Sequence, residues 1–186
     1  TEIELPEGIT TVEDELFSRC TNLRSIKLPE NLTSIGNSAF IACHNLTNIE
    51  LSDNLTFIGE YAFSSCNQLT EIEIPEGITI IESGMFNFCE SLANVILPDS
   101  IIVIEEYAFG NCRQLRAIEL STNVADIASN AFYACTSLGE ITILNPNSFF
   151  ILSARVLLPE PVPPAIPIII GLSSILITSI KILYIF

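Results

Sequence analysis

Apolar and polar positions repeat every twenty-three residues along this chain, and the register does not slip through six copies. Phe17, Phe40, Phe63, Phe86, Phe109 and Phe132 form one column. Cys20, Cys43, Cys66, Cys89, Cys112 and Cys135 follow three residues later, and Leu23, Leu46, Leu69, Leu92, Leu115 and Leu138 three after that. Each leucine opens a segment, Leu23–Leu28 in one copy and Leu46–Leu51 in the next, whose last three residues alternate apolar, variable, apolar. That alternation predicts a short strand with one buried face. Pro29, Pro75 and Pro98, with Pro6 in an earlier partial copy, stand directly after it, where a missing backbone donor ends pairing. Ser52 and Ser121 replace proline elsewhere. A second extended piece carries Leu32/Ile35, Leu55/Ile58, Ile78/Ile81, Ile101/Ile104 and Val124/Ile127, and Gly36 and Gly59 come next.

A fixed period in this range belongs to stacked repeats and is too short for paired-helix repeats or propeller blades. One copy cannot bury its own apolar residues, whereas a stack can. The consensus Leu-x-x-Ile-x-Leu-Pro, then Ile-Gly-x-x-Ala-Phe-x-x-Cys, resembles the BspA-type leucine-rich repeat family over residues 1 to about 144. The resemblance implies a leucine-rich-repeat solenoid: a right-handed superhelix of about six coils with a parallel β-sheet on the concave face. Relatives of this kind are mostly bacterial or protozoan surface and secreted proteins used in adhesion or protein binding. The resemblance therefore implies a cell-surface or secreted location.

The pattern divides the chain into residues 1–144, the solenoid, and 145–186, an atypical tail. Ile3, Leu5 and Pro6 stand one period before Ile26, Leu28 and Pro29, so the chain is expected to begin partway through a longer product. Residues 145–164 hold five of the ten prolines, and 166–186 is almost wholly apolar, with Lys181 its one charged residue. Three readings of the tail compete. It is a membrane span by length and low charge, a degenerate cap over the last coil, or the product of a frame shift near Arg155–Leu158. Only Ile182-Leu183-Tyr184-Ile185 is similar to the closing strand of such caps.

Charge narrows the partners. The chain has 22 acidic and 7 basic residues and a formal net charge of -15, which repels phosphate backbones and argues against nucleic acid. A protein partner fits, a basic one included; a membrane is expected only through residues 166–186. The cysteine ladder raises metal binding and disulfides. Zinc sites want clustered ligands, and no copy holds a second cysteine. Disulfides are geometrically allowed between neighbouring coils, but a column of parallel side chains is better read as buried free thiols acting as small hydrophobes. His44 beside Cys43 suggests a nucleophile–base pair only superficially, since neighbouring extended residues point to opposite sides. No Ser/His/Asp order, phosphate loop or HExxH occurs. No enzyme and no cofactor is expected.

The exposed columns carry the functional signal. Between the buried strand positions run Glu4, Lys27, Glu50, Glu73, Ile96, Glu119 and Thr142, with Glu2, Ser25, Asn48, Glu71, Asn94, Ala117 and Glu140 one column across. Glu50, Glu71, Glu73, Glu119 and Glu140 are the candidate contacts for a basic partner or cation, set against a plain solvated face. Glu30 and Glu76 are placed on the turn edge. Elsewhere, columns usually filled by Thr or Ser become Phe57, Ile80, Ile102 and Val103, flanked by Tyr61 and Tyr107. This is either an interface or a seat for the tail. Asn31, Asn45 and Asn54 stand in Asn-x-Thr sequons, which matter only in a eukaryotic secretory setting. The function expected is a non-enzymatic protein-binding module, or alternatively a structural spacer within a longer solenoid.

Overall fold

The computed structural model describes residues 1–144, 153–156 and 166–170. Each twenty-three-residue copy makes one coil with two short strands. The first coil holds β1 (Glu2–Glu4) and β2 (Thr11–Val12), the second β3 (Ser25–Lys27) and β4 (Ser34–Ile35), the third β5 (Asn48–Glu50) and β6 (Phe57–Ile58). The fourth holds β7 (Glu71–Glu73) and β8 (Ile80–Ile81), the fifth β9 (Asn94–Ile96) and β10 (Val103–Ile104), the sixth β11 (Ala117–Ser121) and β12 (Asp126–Ile127). β13 (Glu140–Leu144) follows. β15 (Ile166–Ile170) pairs with β13 in parallel, and β14 (Ser153–Val156) pairs with β15 antiparallel.

All strand pairs within the coils are parallel and exactly one period out of step: Ile3 opposite Ile26, Ile26 opposite Ile49, Val12 opposite Ile35. Like residues therefore stack on like. The first ladder runs β1-β3-β5, then β7-β9, then β11-β13; the second runs β2-β4-β6 and β8-β10-β12. Both lapse between the third and fourth coils. There the arc bridges the gap, with Tyr61, Phe63 and Ser65 donating their backbone N–H groups to the carbonyls of Ser83, Met85 and Asn87 at 3.0, 3.0 and 2.7 Å.

The core is a set of columns inside the coils. Phe40, Phe63, Phe86 and Phe109 are fully buried, and their rings stack with centroids 5.4 to 5.7 Å apart. Leu46, Leu69, Leu92 and Leu115 form a parallel column of zero exposure. All six thiols are free, with Cys20 half-buried and the other five buried. Their role is larger than that of a small hydrophobe. The Sγ–H of Cys43, Cys66, Cys89, Cys112 and Cys135 donates to the carbonyl of the phenylalanine one coil earlier, at 2.9 to 3.3 Å. Burial pushes the Cys43 thiol up to about 11 and the Cys89 thiol to about 12.

Two positions per coil adopt left-handed backbone. One column is Glu15, Ser38, Tyr61, Gly84, Tyr107 and Asn130, the other Arg19, Ala42, Ser65, Phe88, Asn111 and Ala134, with φ between 53° and 61°. This conformation disfavours residues with a Cβ. It persists here because it turns the N–H along the stack: Glu15, Ser38, Tyr61 and Gly84 each donate to the carbonyl one residue short of a full period ahead, at 2.8 to 3.0 Å.

The tail readings fall mostly outside the described residues. Ile166–Ile170 is a strand, and among the described residues no helix is long and apolar enough to cross a membrane.

Candidate functional site

Because strand residues alternate faces, the outward positions of the first ladder form one continuous surface. Glu4, Lys27 and Glu50 are directly opposite one another across β1, β3 and β5. Lys27 Nζ donates to Glu4 Oε1 at 2.6 Å, with both side chains exposed. That bond holds the Glu4 carboxyl below its ordinary range and the Lys27 ammonium above its own. A cleft of about 800 Å³ lies over this pair, lined by Glu2, Glu4, Lys27, Glu30, Asn48 and Glu50 among others. Glu30 lies in the turn after β3, where the sequence placed it, and from there it also lines this cleft and adds its charge to the field at Lys27.

A second cleft, about 400 Å³, spans β5, β7 and β9. Glu50, Glu71 and Glu73 converge on it with Asn48, Asp53, Asn94 and Ile96, and no lysine or arginine lines it. The candidate acids are therefore not one cluster. Glu119 and Glu140 belong to β11 and β13, opposite Thr142 and Ala117, and β9, with half-exposed Ile96, separates them from Glu73. The sequence reading counted columns and so missed both this partition and the Glu4–Lys27 bond.

The other candidate surface belongs to the second ladder. Phe57, Ile80 and Ile102 are 43%, 37% and 46% exposed, and Tyr61 is 36% exposed; Val103 and Tyr107 are half-buried. Ile80 lies directly opposite Val103. Two positions on, just past the strand ends, stand buried Gly59 and half-buried Glu82 and Glu105. Desolvation raises the Glu82 carboxyl, and Glu105 and Glu60 add to it. Glu82 and Glu105 stand where Gly36 and Gly59 stand in earlier coils, a substitution visible in the aligned copies but unread there.

His44 is exposed and bonds forward through Nδ1 to the Ser65 carbonyl and Asn67 Oδ1, at 3.0 and 2.8 Å, while Cys43 faces the core. The two side chains part as expected. Of the sequon asparagines, Asn45 and Asn54 donate Nδ2 to the carbonyls of Thr21 and Glu30 at 2.6 and 2.9 Å. Among the described residues, no three His, Cys, Asp or Glu side chains are placed to hold a metal ion.

A stack of parallel coils with strand, turn and stacked phenylalanine in fixed phase defines a leucine-rich-repeat solenoid, whose contacts with other molecules come from its exposed columns. The chain belongs to the BspA type leucine rich repeat family, matching its repeat region in six copies over residues 1–116 and 57–153. It is similar to the solved leucine rich cell surface protein of Faecalibacterium prausnitzii A2-165, with 38% identity and a TM-score of 0.72 over 77% of this chain. A leucine-rich repeat protein of Bacteroides ovatus gives 36% identity and a TM-score of 0.73 over 81% of the chain. The chain spans 38% of the length of each of those two proteins. The pneumococcal vaccine antigen PcpA, at 21% identity and a TM-score of 0.65 over 81% of this chain and 44% of its own, shares the fold. No curated protein matches.

Proposed function

We propose that this chain is a non-enzymatic protein-binding module of a surface or secreted protein, and that a basic protein partner docks on the first ladder. The observation that carries this reading is the cleft across β5, β7 and β9. There Glu50, Glu71 and Glu73 converge with no lysine or arginine in the lining. Carboxylates on adjacent strands sum their field, and like charges at such spacing mildly oppose one another. A cationic segment would relieve that repulsion. Glu119 and Glu140 extend the field toward the last coil as a separate contact. The similarity to a leucine rich cell surface protein supports the location.

The test is association kinetics with a lysine-rich peptide as probe. Steering by exposed charge is screened at about 8–10 Å at physiological ionic strength, so the on-rate should fall steeply with salt. Glu50→Lys with Glu73→Lys should slow association about tenfold or more, whereas Glu13→Lys with Asp99→Lys, outside both clefts, should slow it far less. An on-rate indifferent to salt and to the Glu50/Glu73 reversal would leave the spacer reading in its place.

A further inference from the structure

Coils three to five differ from their neighbours on the second ladder, and the difference is concentrated in two adjacent columns. In the first, Thr11 and Ser34 give way to Phe57, Ile80 and Val103, after which Asp126 restores polarity. In the second, two residues along and just past the strand ends, Gly36 and Gly59 give way to Glu82 and Glu105 on the fourth and fifth coils, the residue type that Glu13 already supplies on the first. Ile102 joins from the flanking column, which is Thr10, Thr33, Thr56 and Thr79 in the four coils before it and Ala125 after it. On the fourth and fifth coils the two changes coincide, Ile80 with Glu82 and Val103 with Glu105, while Phe57 extends the apolar column alone onto the third. Coils rise about 4.8 Å and residues of like face lie about 6.6–7 Å apart along a strand. The result is an apolar stripe about two to three side chains long with a row of carboxylates beside it.

The aromatic groups at the margin are held in place. No room exists for a Cβ on Gly84 because the Tyr61 ring lies over it, and that glycine itself has φ of 60°. Tyr107 lies within 3.2 Å of where a Cβ on Gly110 would fall, and meets Tyr133 edge to face, centroids 5.9 Å apart and planes at 79°. Rigid aromatic anchors lose little freedom when a partner arrives, which is how a few side chains dominate an interface.

We propose that coils three to five carry a second docking surface on the second ladder, separate from the acidic clefts, for a polypeptide segment that alternates apolar and lysine or arginine residues. The apolar side chains cover Phe57, Ile80 and Ile102. The cations meet Glu82 and Glu105, with Glu60 and Glu106 on the outer margin. Charge chooses this occupant over a second copy of the chain: at a net charge of -15, two such faces would bring their carboxylate rows together. Tyr61 and Tyr107 offer ring faces to the same cations.

The experiment uses the full chain and a synthetic peptide alternating leucine and lysine, with a second peptide carrying glutamate for lysine. The apolar variant is Phe57→Ser, Ile80→Ser and Ile102→Thr, residues that the same columns already hold in other coils, so the stack has proven room for them. The acidic variant is Glu82→Gln with Glu105→Gln. The lysine peptide should bind the parent chain; the apolar variant should weaken it about tenfold or more, and the acidic variant should weaken it and flatten its salt dependence. The same loss should be read when the apolar variant is made in a Glu50→Lys, Glu73→Lys background, which separates this binding from the docking proposed on the first ladder. The proposal is overturned if the apolar variant binds unchanged, or if the glutamate peptide binds as well. It is equally overturned if the parent is a dimer that the apolar variant splits, if neutral lipid vesicles deplete the parent but not that variant, or if a photo-crosslinking residue at Ile102 captures residues 145–186 of its own chain.

Discussion

Replacing Phe63 with alanine removes a fully buried ring from the middle of a ladder, sandwiched between Phe40 at 5.4 Å and Phe86 at 5.7 Å with planes within 4° of parallel. A buried Phe→Ala change costs about 3–5 kcal/mol in lost transfer energy and residual cavity. The site cannot collapse easily, since the rings above and below are held in register by backbone bonds from Phe40 to Ala62 and Phe63 to Met85, 2.8 and 3.0 Å. The upper half of that range is therefore expected. With a urea slope of about 2–3 kcal/mol/M, the midpoint should fall by about 1.3–2.5 M. Phe17 is half-buried and stacks on one phenylalanine, Phe40, at 5.2 Å. Phe17→Ala should cost about half as much and move the midpoint by under about 1 M. Equilibrium unfolding followed by circular dichroism gives both. Equal losses at Phe17 and Phe63, or a drop below about 1 kcal/mol at Phe63, would refute the ring ladder as the spine of the core.

Titration with a thiol reagent at mild alkaline pH should label Cys20 first and leave the buried column silent until denaturant is added; prompt labelling of most thiols would contradict their burial. Thiols whose pKa is raised by folding stabilise the native state fully below their unfolded value of 9.0. That contribution should drain away as pH rises from 9.0 toward about 11 for Cys43 and about 12 for Cys89, visible as a falling urea midpoint that a Cys89→Ala variant shows less steeply. Deleting residues 145–186 should lower the melting temperature, because β15 covers Ile141 and Thr142 of β13 by backbone pairing. An unchanged melting point in a monomeric truncation would mean that the tail caps nothing.

The columns that face inward were plain in the sequence because burial selects residue type. Phe40, Cys66 and Leu92 each recur on their period and each is fully buried. The left-handed positions were not visible, because residues such as Glu15, Tyr61, Arg19 and Phe88 give no sign of positive φ. There the backbone is dictated by hydrogen bonds to the next coil rather than by glycine. The thiol bonds to the phenylalanine carbonyls were hidden for a related reason: cysteine in an apolar column reads as volume, and its donor shows only when a carbonyl is within reach. The candidate acids were found as residues but not as an arrangement. The Lys27 bond to Glu4 and the separation by β9 depend on three-dimensional neighbours that column lists omit.

The hydrogen bonds of the arc run parallel to the stack axis, from Glu15 to Asn37, Ser38 to Glu60 and Tyr61 to Ser83. Tension applied along that axis loads successive coils in series, so that every coil bears the same force and the weakest yields first. Each released coil frees a chain of twenty-three residues, which at about 3.3–3.6 Å per residue is roughly 75–80 Å of contour, in exchange for a rise of about 4.8 Å. A solenoid built this way lengthens in uniform steps under load. At the junction between the third and fourth coils, where both strand ladders lapse, that load falls on the bonds from Tyr61, Phe63 and Ser65.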